Sequence, residues 1–231
     1  MLKNLSIIIL AKNEYKNIEY ILPKIKKISD DILVIDGHSQ DGTKELCRKH
    51  KVKFFLDNKL GKGDAQRIGA SKAKYKYIIF IDGDGAHNIA DIKKIYNLLK
   101  KNIDLVICSR QTGGSYDLNF NSGFSSAIRA AGVIFLVILF NKLFKTNFTD
   151  ILYSLKGTTK NNFKKLKTKQ NGFAIEIDII IEALIKNLII KEIPSRENAR
   201  VYGVSKLPTI HGLYFIYFII KKYFKYFFLK K

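Results

Sequence analysis

Five short apolar runs organise the first half of the chain. Residues 5–11 (LSIIILA), 31–36 (DILVID), 52–56, 78–81 (IIFI) and 104–109 are rich in β-branched and aromatic residues. Runs of this length and composition predict strands, and those without alternation predict strands buried on both faces. Between them the period changes. Ile18, Ile21, Leu22, Ile25 and Ile28 recur at helical spacing. A polar turn over 37–43 starts the helix carrying Leu46 and Cys47, and a flexible basic turn, LGKG, precedes a helix over 64–75. A further helix is predicted over about 89–100. Strands alternating with helices in this way predict an α/β fold with a mostly parallel sheet, right-handed crossovers and ligands at the carboxyl ends of the strands.

The second half reads differently. Residues 111–121 form a Gly/Ser/Asn-rich loop without hydrophobic period. Ala130 to Phe140 is apolar all round and flanked by Arg129 and Lys142. It is half the length of a membrane span, so a core helix and a helix lying in the membrane interface both stand. A short strand over 151–156, a small helix over 161–166, a helix opened by Gly172-Phe173-Ala174-Ile175-Glu176 and a strand over 188–193 follow. From residue 213 onward, Tyr, Phe and Ile clusters alternate with lysines. Such a tail suits a membrane interface, and packing on the domain or docking on RNA are the other readings. The expected division is one domain over 1–210, with a donor half (1–110) and an acceptor half (111–210), followed by a basic aromatic tail.

Charge sharpens the picture. The chain has 231 residues with 41 Lys and Arg against 20 Asp and Glu, a net charge of +21. That excess favours an anionic partner: nucleic acid, acidic membrane lipid or phosphorylated substrates. Cys47 and Cys108 lack metal-type spacing and read as buried thiols. No signal peptide is expected, and no apolar run reaches the roughly 20 residues of a spanning helix.

The candidate chemistry lies in YIIFIDGDGAH, residues 77–87. The strand ends in Asp82-Gly83-Asp84, and a buried strand does not close on two carboxylates without a cationic partner, because desolvating them is costly. A divalent cation that also holds phosphate is one answer, since hard cations take oxygen ligands. A turn whose aspartates cap the next helix is the other. The other strand ends carry Asn13-Glu14, Asp36 and Arg110, and polar ends converging on one crevice favour the ligand reading.

In order and at the expected spacing, SIIILAKNE, VIDGHSQDGT, LGKGDAQRIGASKA and FIDGDGAH resemble the inverting family 2 glycosyltransferases of GT-A fold. The resemblance implies a mixed, mostly parallel sheet flanked by helices, a nucleotide-sugar donor, and Mg²⁺ or Mn²⁺ held by Asp82 and Asp84. Asp150 to Gly157, the GFAIE segment ending in Glu176, and RVYGVSK over 200–206 are similar to segments of dolichol-phosphate mannose synthases and other polyprenyl-phosphate glycosyltransferases. This implies a polyprenyl or dolichyl phosphate acceptor and peripheral association with the cytoplasmic face of a membrane through amphipathic C-terminal helices. A membrane-protein partner fits that setting, and nucleic acid is not expected. The chain departs from the pattern at Leu10, Lys12, Gly37 and Ala86. The last replaces a metal-ligating glutamine, leaving His87, a water or the donor diphosphate as a further ligand, or His87 as a cap.

The expected roles are these. Asp82, Asp84, Arg110 and Glu176 form the catalytic set, and Glu14, Asp36 and Lys62 contact the nucleotide together with Asp82. Arg129, Arg200, Ser205 and Lys206 hold the acceptor phosphate. Each has a plainer counterpart: Asp36 as a helix-capping carboxylate, Lys62 as a solvated loop lysine, Glu176 as a first-turn helix acid, Arg129 as a headgroup contact. Two alternatives remain: a family 2 enzyme acting on a saccharide of a cell-surface glycan, and a non-enzymatic nucleotide or nucleic-acid binding module.

Overall fold

The computed structural model describes residues 1–115, 124–200, 202 and 211–230. The first half delivers the expected alternation: β1 (Leu5–Ala11), α1 (Tyr15–Lys26), β2 (Asp31–Asp36), α2 (Thr43–Lys49), β3 (Lys53–Leu56), α3 (Lys62–Lys72), β4 (Tyr77–Asp82), α4 (Asp91–Lys100) and β5 (Leu105–Ser109). Then come α5 (Phe124–Phe144), β6 (Lys156–Thr159), α6 (Lys160–Leu166), α7 (Ile175–Ile185), β7 (Ile190–Pro194) and α8 (His211–Lys230). The strands form one mixed sheet in the order β3-β2-β1-β4-β6-β5-β7. All neighbours are parallel except β6, which runs antiparallel to β4 and β5.

Side chains of a strand alternate between faces, and here both faces are covered. Ile8 and Leu10 of β1 join the core beneath α3, α5, α6, α7 and α8, whereas Leu5, Ile7 and Ile9 join the core beneath α1, α2 and α4. This double burial explains why β1 and β4 read as continuous apolar runs.

Two features position the site. The chain leaves β1 toward β2 on one side, with β4 on the other, so the carboxyl ends of β1 and β4 open a crevice at the point where the strand order reverses. The antiparallel β6 then pairs Lys156 with Phe80. That register brings Ser154, two residues earlier, to the end of β4 beside Asp82. The sequence reading placed this strand at 151–156; the observed strand begins only at Lys156 and runs to Thr159. The basic turn before α3 also needs revision, because Lys62 and Gly63 already lie in the first turn of that helix.

The all-apolar segment in α5 resolves in part. Leu136, Val137, Phe140 and Phe144 are buried in the core. Phe144 packs edge-on against Tyr223 and Tyr226 of α8. The aromatic tail is likewise fixed to the domain on one face, through Phe215, Phe218 and Ile219. Each helix keeps a second apolar face exposed. Ile134, Phe135 and Ile138 line one on α5, and Leu213, Tyr217, Ile220, Phe224 and Phe228 the other. Among the described residues no helix is long and apolar enough to cross a membrane. Both cysteines are buried and free.

Candidate active site

The crevice at the β1–β4 edge has a volume of about 860 Å³ and is lined by the exits of β1, β2 and β4 together with the start of α3. Asp82, Gly83 and Asp84 form one wall, and Lys12, Asn13, Glu14, His38, Gln40, Asp57, Lys59 and Lys62 supply the other polar groups. Phe173 and Arg200 reach in from the second half.

Asp82 sits at the centre of a hydrogen-bonded cluster. Its carboxylate takes Lys62 Nζ at 2.9 Å on Oδ1 and at 3.0 Å on Oδ2. Ser154 Oγ donates to Oδ2 at 2.6 Å. The Asp82 backbone N–H donates to His87 Nδ1 at 3.2 Å, and the other ring nitrogen, Nε2, lies 3.2 Å from Ser154 Oγ. A closed ring results: Asp82 N–H to His87, His87 to Ser154, Ser154 back to the Asp82 carboxylate. Burial opposes charge on Asp82, but Lys62, His87 and the Ser154 hydroxyl outweigh it and hold the group well below the ordinary carboxylate range. Lys62 is held protonated far above its ordinary value: burial opposes this, and Asp82 and Glu176 overcome it.

Asp84 accepts from the Ala86 backbone N–H through Oδ1 at 3.1 Å and meets Arg200 through Oδ2 at 2.8 Å. The cationic partner demanded by the sequence is therefore present twice in protein form, as Lys62 on Asp82 and Arg200 on Asp84. Both carboxylates still line the crevice, and two such oxygen donors fit a hard divalent cation that takes its other ligands from phosphate and water. Among the described residues no cluster of three or more His, Cys, Asp or Glu could hold a metal. His87, with both nitrogens engaged, braces Asp82 and presents no nitrogen to the crevice.

The remaining expected residues divide. Lys62 and Glu14 line the crevice. Glu14 also accepts from Asn17 Nδ2 at 2.6 Å. Asp36 is nearly fully buried, and both of its oxygens accept from Ser39, at 2.7 Å from the backbone N–H and 2.5 Å from Oγ. It braces the turn that presents Gly37, His38 and Gln40 and caps no helix, since α2 begins at Thr43, whose N–H donates to Asp41. Arg110 is directed onto Asp150 at 2.7 Å and toward Glu197 at 3.5 Å, stacked over Tyr153, and is not among the crevice-lining residues. Glu176 is buried behind Lys62, at 3.2 Å, and pairs with the buried Lys156 while accepting from Gln66 Nε2 at 3.0 Å. Arg129 lies in α5 with its side chain outside the described residues, as are Ser205 and Lys206 entirely.

Sequence reasoning passed over Ser154, Lys156, Gln66, His38, Asp57 and Phe173. Ser154 and Lys156 had a signal, since they stand in the segment after Asp150 whose similarity was noted. His38, at φ 61°, holds the carbonyl of Asp57 at 2.9 Å, a contact between two loops that spacing cannot show.

The comparisons agree with this architecture. A glycosyltransferase of Haloferax volcanii, AglJ, is 26% identical over 194 residues, covering 82% of this chain and 62% of its own length. The chain thus spans less than two thirds of that relative. An uncharacterised protein of Methanocaldococcus jannaschii is 32% identical over 197 residues, covering 80% of this chain and 84% of that one. Glucosyl-3-phosphoglycerate synthase of Mycobacterium tuberculosis, solved in complex with Mg²⁺ and uridine diphosphate, superposes with a TM-score of 0.73 over 95% of this chain and 79% of that one, at 16% identity, which speaks for the fold. Residues 6–148, more than half of the chain, match the family described as glycosyl transferase family 2, and the chain belongs to that family.

Proposed function

We propose that the chain transfers a hexose from a nucleotide-sugar donor to a polyprenyl or dolichyl phosphate, with inversion at the anomeric carbon. The observation that carries this reading is the pair Asp82 and Asp84 at the mouth of β4, facing a crevice rimmed by Lys62 and Arg200. Asp82 and Asp84 would hold Mg²⁺ or Mn²⁺, and when bound the ion supplies charge neutralisation on the departing diphosphate. Lys62 adds a fixed positive charge beside that position, and Arg200 offers planar donors suited to phosphate oxygens. His38, Gln40 and Asp57 line the same crevice and would contact the nucleoside.

The acceptor reading rests on Glu176. A hydroxyl nucleophile needs a base to remove its proton, whereas a phosphate, with a second pKa of about 6, is already ionised at neutral pH. Glu176 is buried and committed to Lys62, Lys156 and Gln66, so it orients cations and does not offer a free carboxylate to an acceptor. A phosphate acceptor asks for no such base.

A polyprenyl acceptor stays in the bilayer, so the protein must meet the membrane. The outer faces of α5 and α8 support that role. Phe135, Ile138, Phe224 and Phe228 are 53–73% exposed, with Lys142, Lys221 and Lys225 beside them. Apolar burial at the headgroup boundary combines with about 1 kcal/mol per basic residue on an anionic leaflet. The setting is the cytoplasmic face of a membrane.

The test is transfer of radiolabel from a panel of UDP- and GDP-hexoses to polyprenyl phosphate or to saccharides, with Mn²⁺, with Mg²⁺ and with chelator. Label in the lipid phosphate only with metal supports the proposal. Label in a saccharide moves the acceptor, and no transfer from any donor sinks the enzyme reading.

A further inference from the structure

The outer helix α8 lies far along the chain from the donor residues, yet two of its side chains lead into the crevice wall. Lys222, mostly buried, places Nζ 2.5 Å from Asp178 Oδ1 and 2.7 Å from Glu182 Oε1 on α7. Asp178 is fully buried, and its other oxygen accepts from the backbone N–H groups of Lys169 and Gln170, at 3.1 and 3.4 Å. Tyr214 of α8 donates to Gln170 Oε1 at 2.9 Å. The segment 169–171 is thus held from behind by α8.

The same segment holds the start of α3 in front. Gly63 donates its backbone N–H to Asn171 O at 2.7 Å, and Arg67 Nη1 donates to Gln170 O at 2.7 Å. The fit is backbone on backbone: a Cβ on Gly63 would stand 2.0 Å from Gln170 O, and one on Gly61, at φ 110°, 2.8 Å from Asn171 O. Lys62 stands between these two glycines and carries the ammonium that pairs with Asp82 and Glu176. Glu176 itself lies two residues before Asp178 on the same helix, so the seat of α7 sets both.

We propose that Lys222 is a positioning residue of the donor site: through Asp178 and the 169–171 segment it seats the first turn of α3 and so fixes Lys62 against Asp82. The two-sided use of Asp178 is what carries this. Without the ammonium, the buried carboxylate loses its charge partner while still binding two backbone donors, and the segment shifts to rehydrate it. The inference rests on the nucleotide-sugar reading only for the ligand used below.

The experiment uses the full chain and four variants: Lys222→Met, Lys222→Arg, the charge-free double variant Lys222→Met with Asp178→Asn, and Lys221→Gln as a surface control on the same helix. Amide hydrogen exchange at 62–66 is the first readout and needs no ligand. The expected result is at least tenfold faster exchange there in Lys222→Met, unchanged exchange over β2, and restoration by arginine. Binding of UDP with Mn²⁺ is the second, expected to weaken at least tenfold in Lys222→Met and to return within twofold of the parent in Lys222→Arg, with Lys221→Gln at the parent value. Should Lys222→Met not fold, Lys222→Gln takes its place with the same expectations; the charge-free double variant leaves no stranded carboxylate and is expected to exchange at 62–66 near the parent rate. Unchanged exchange at 62–66 in folded Lys222→Met or Lys222→Gln overturns the proposal. So does equal acceleration over 62–66 and β2, which marks a general loss of stability. Failure of the parent to bind UDP with Mn²⁺, with the exchange result intact, overturns the donor reading and leaves the seating of α3 standing.

Discussion

Lys156 shows how much of this site depends on single buried charges. It is 1% exposed, faces Glu176, and lies on β6 where the register with β4 puts it behind the crevice. Removing one member of a buried ion pair strands the other, at a cost of about 3–5 kcal/mol, while removing both is far milder. Lys156→Met is therefore expected to lower stability in urea unfolding by about 3 kcal/mol, and the double change with Glu176→Gln to recover a good part of it. Equal losses in the single and double variants would contradict the pairing. Little of this was legible in the sequence. Asp82 and Asp84 stood out because two carboxylates closed an apolar strand. Lys156 and Ser154 matter through an antiparallel strand inserted between β4 and β5, which no local pattern announces. Asp36 and Arg110 stand apart from the crevice lining for the same reason: a polar residue at a strand end faces either the crevice or its neighbours, and partners distant in sequence, such as Asp150 for Arg110, decide which.

At the scale of elements, the first five strands and the helices between them followed directly from hydrophobic period, since double burial leaves an unmistakable continuous run. The two apolar helices did not resolve from sequence, because an all-round apolar helix reads the same against protein or lipid. Each has one apolar face in the core and another exposed. The outward face of α8 is the testable part. Phe224→Glu with Phe228→Glu is expected to leave the melting temperature within a few degrees and to reduce sedimentation with anionic vesicles at least tenfold. Unaltered sedimentation would remove the membrane role of this helix. Deleting the whole helix is a poorer test, because it would also uncover Phe215, Phe218 and Ile219 and leave Asp178 without Lys222. Electrostatic attraction to the same vesicles should weaken between 0.05 and 0.5 M salt, as screening shortens to within about 10 Å.

Over the whole molecule, charge pairing predicts an acid-labile fold. Burial opposes ionisation of Asp31, but Lys53, Ser6 and the Lys74 N–H outweigh it and lower its pKa below the ordinary 3.8. Burial likewise opposes ionisation of Glu182, and Lys222 and Lys225 outweigh it and lower its pKa below 4.5. Groups with depressed folded-state pKa values stabilise above their unfolded values, and that stability is lost as pH falls through the folded ones. The melting temperature should stay level down to about pH 5 and drop below about pH 4.5, with a shallower drop in Asp31→Asn. A drop that begins near pH 6.5 would point to histidine instead.

The central claim is that Asp82 and Asp84 bind a metal-linked nucleotide sugar at the carboxyl end of β4. Calorimetric titration of Asp84→Ala with UDP-hexose, in Mn²⁺ and in chelator, tests it most directly. The account predicts metal-dependent binding by the parent chain and its loss, by at least 100-fold, in a variant that remains folded. Equal metal-dependent affinity in the parent and Asp84→Ala would contradict it.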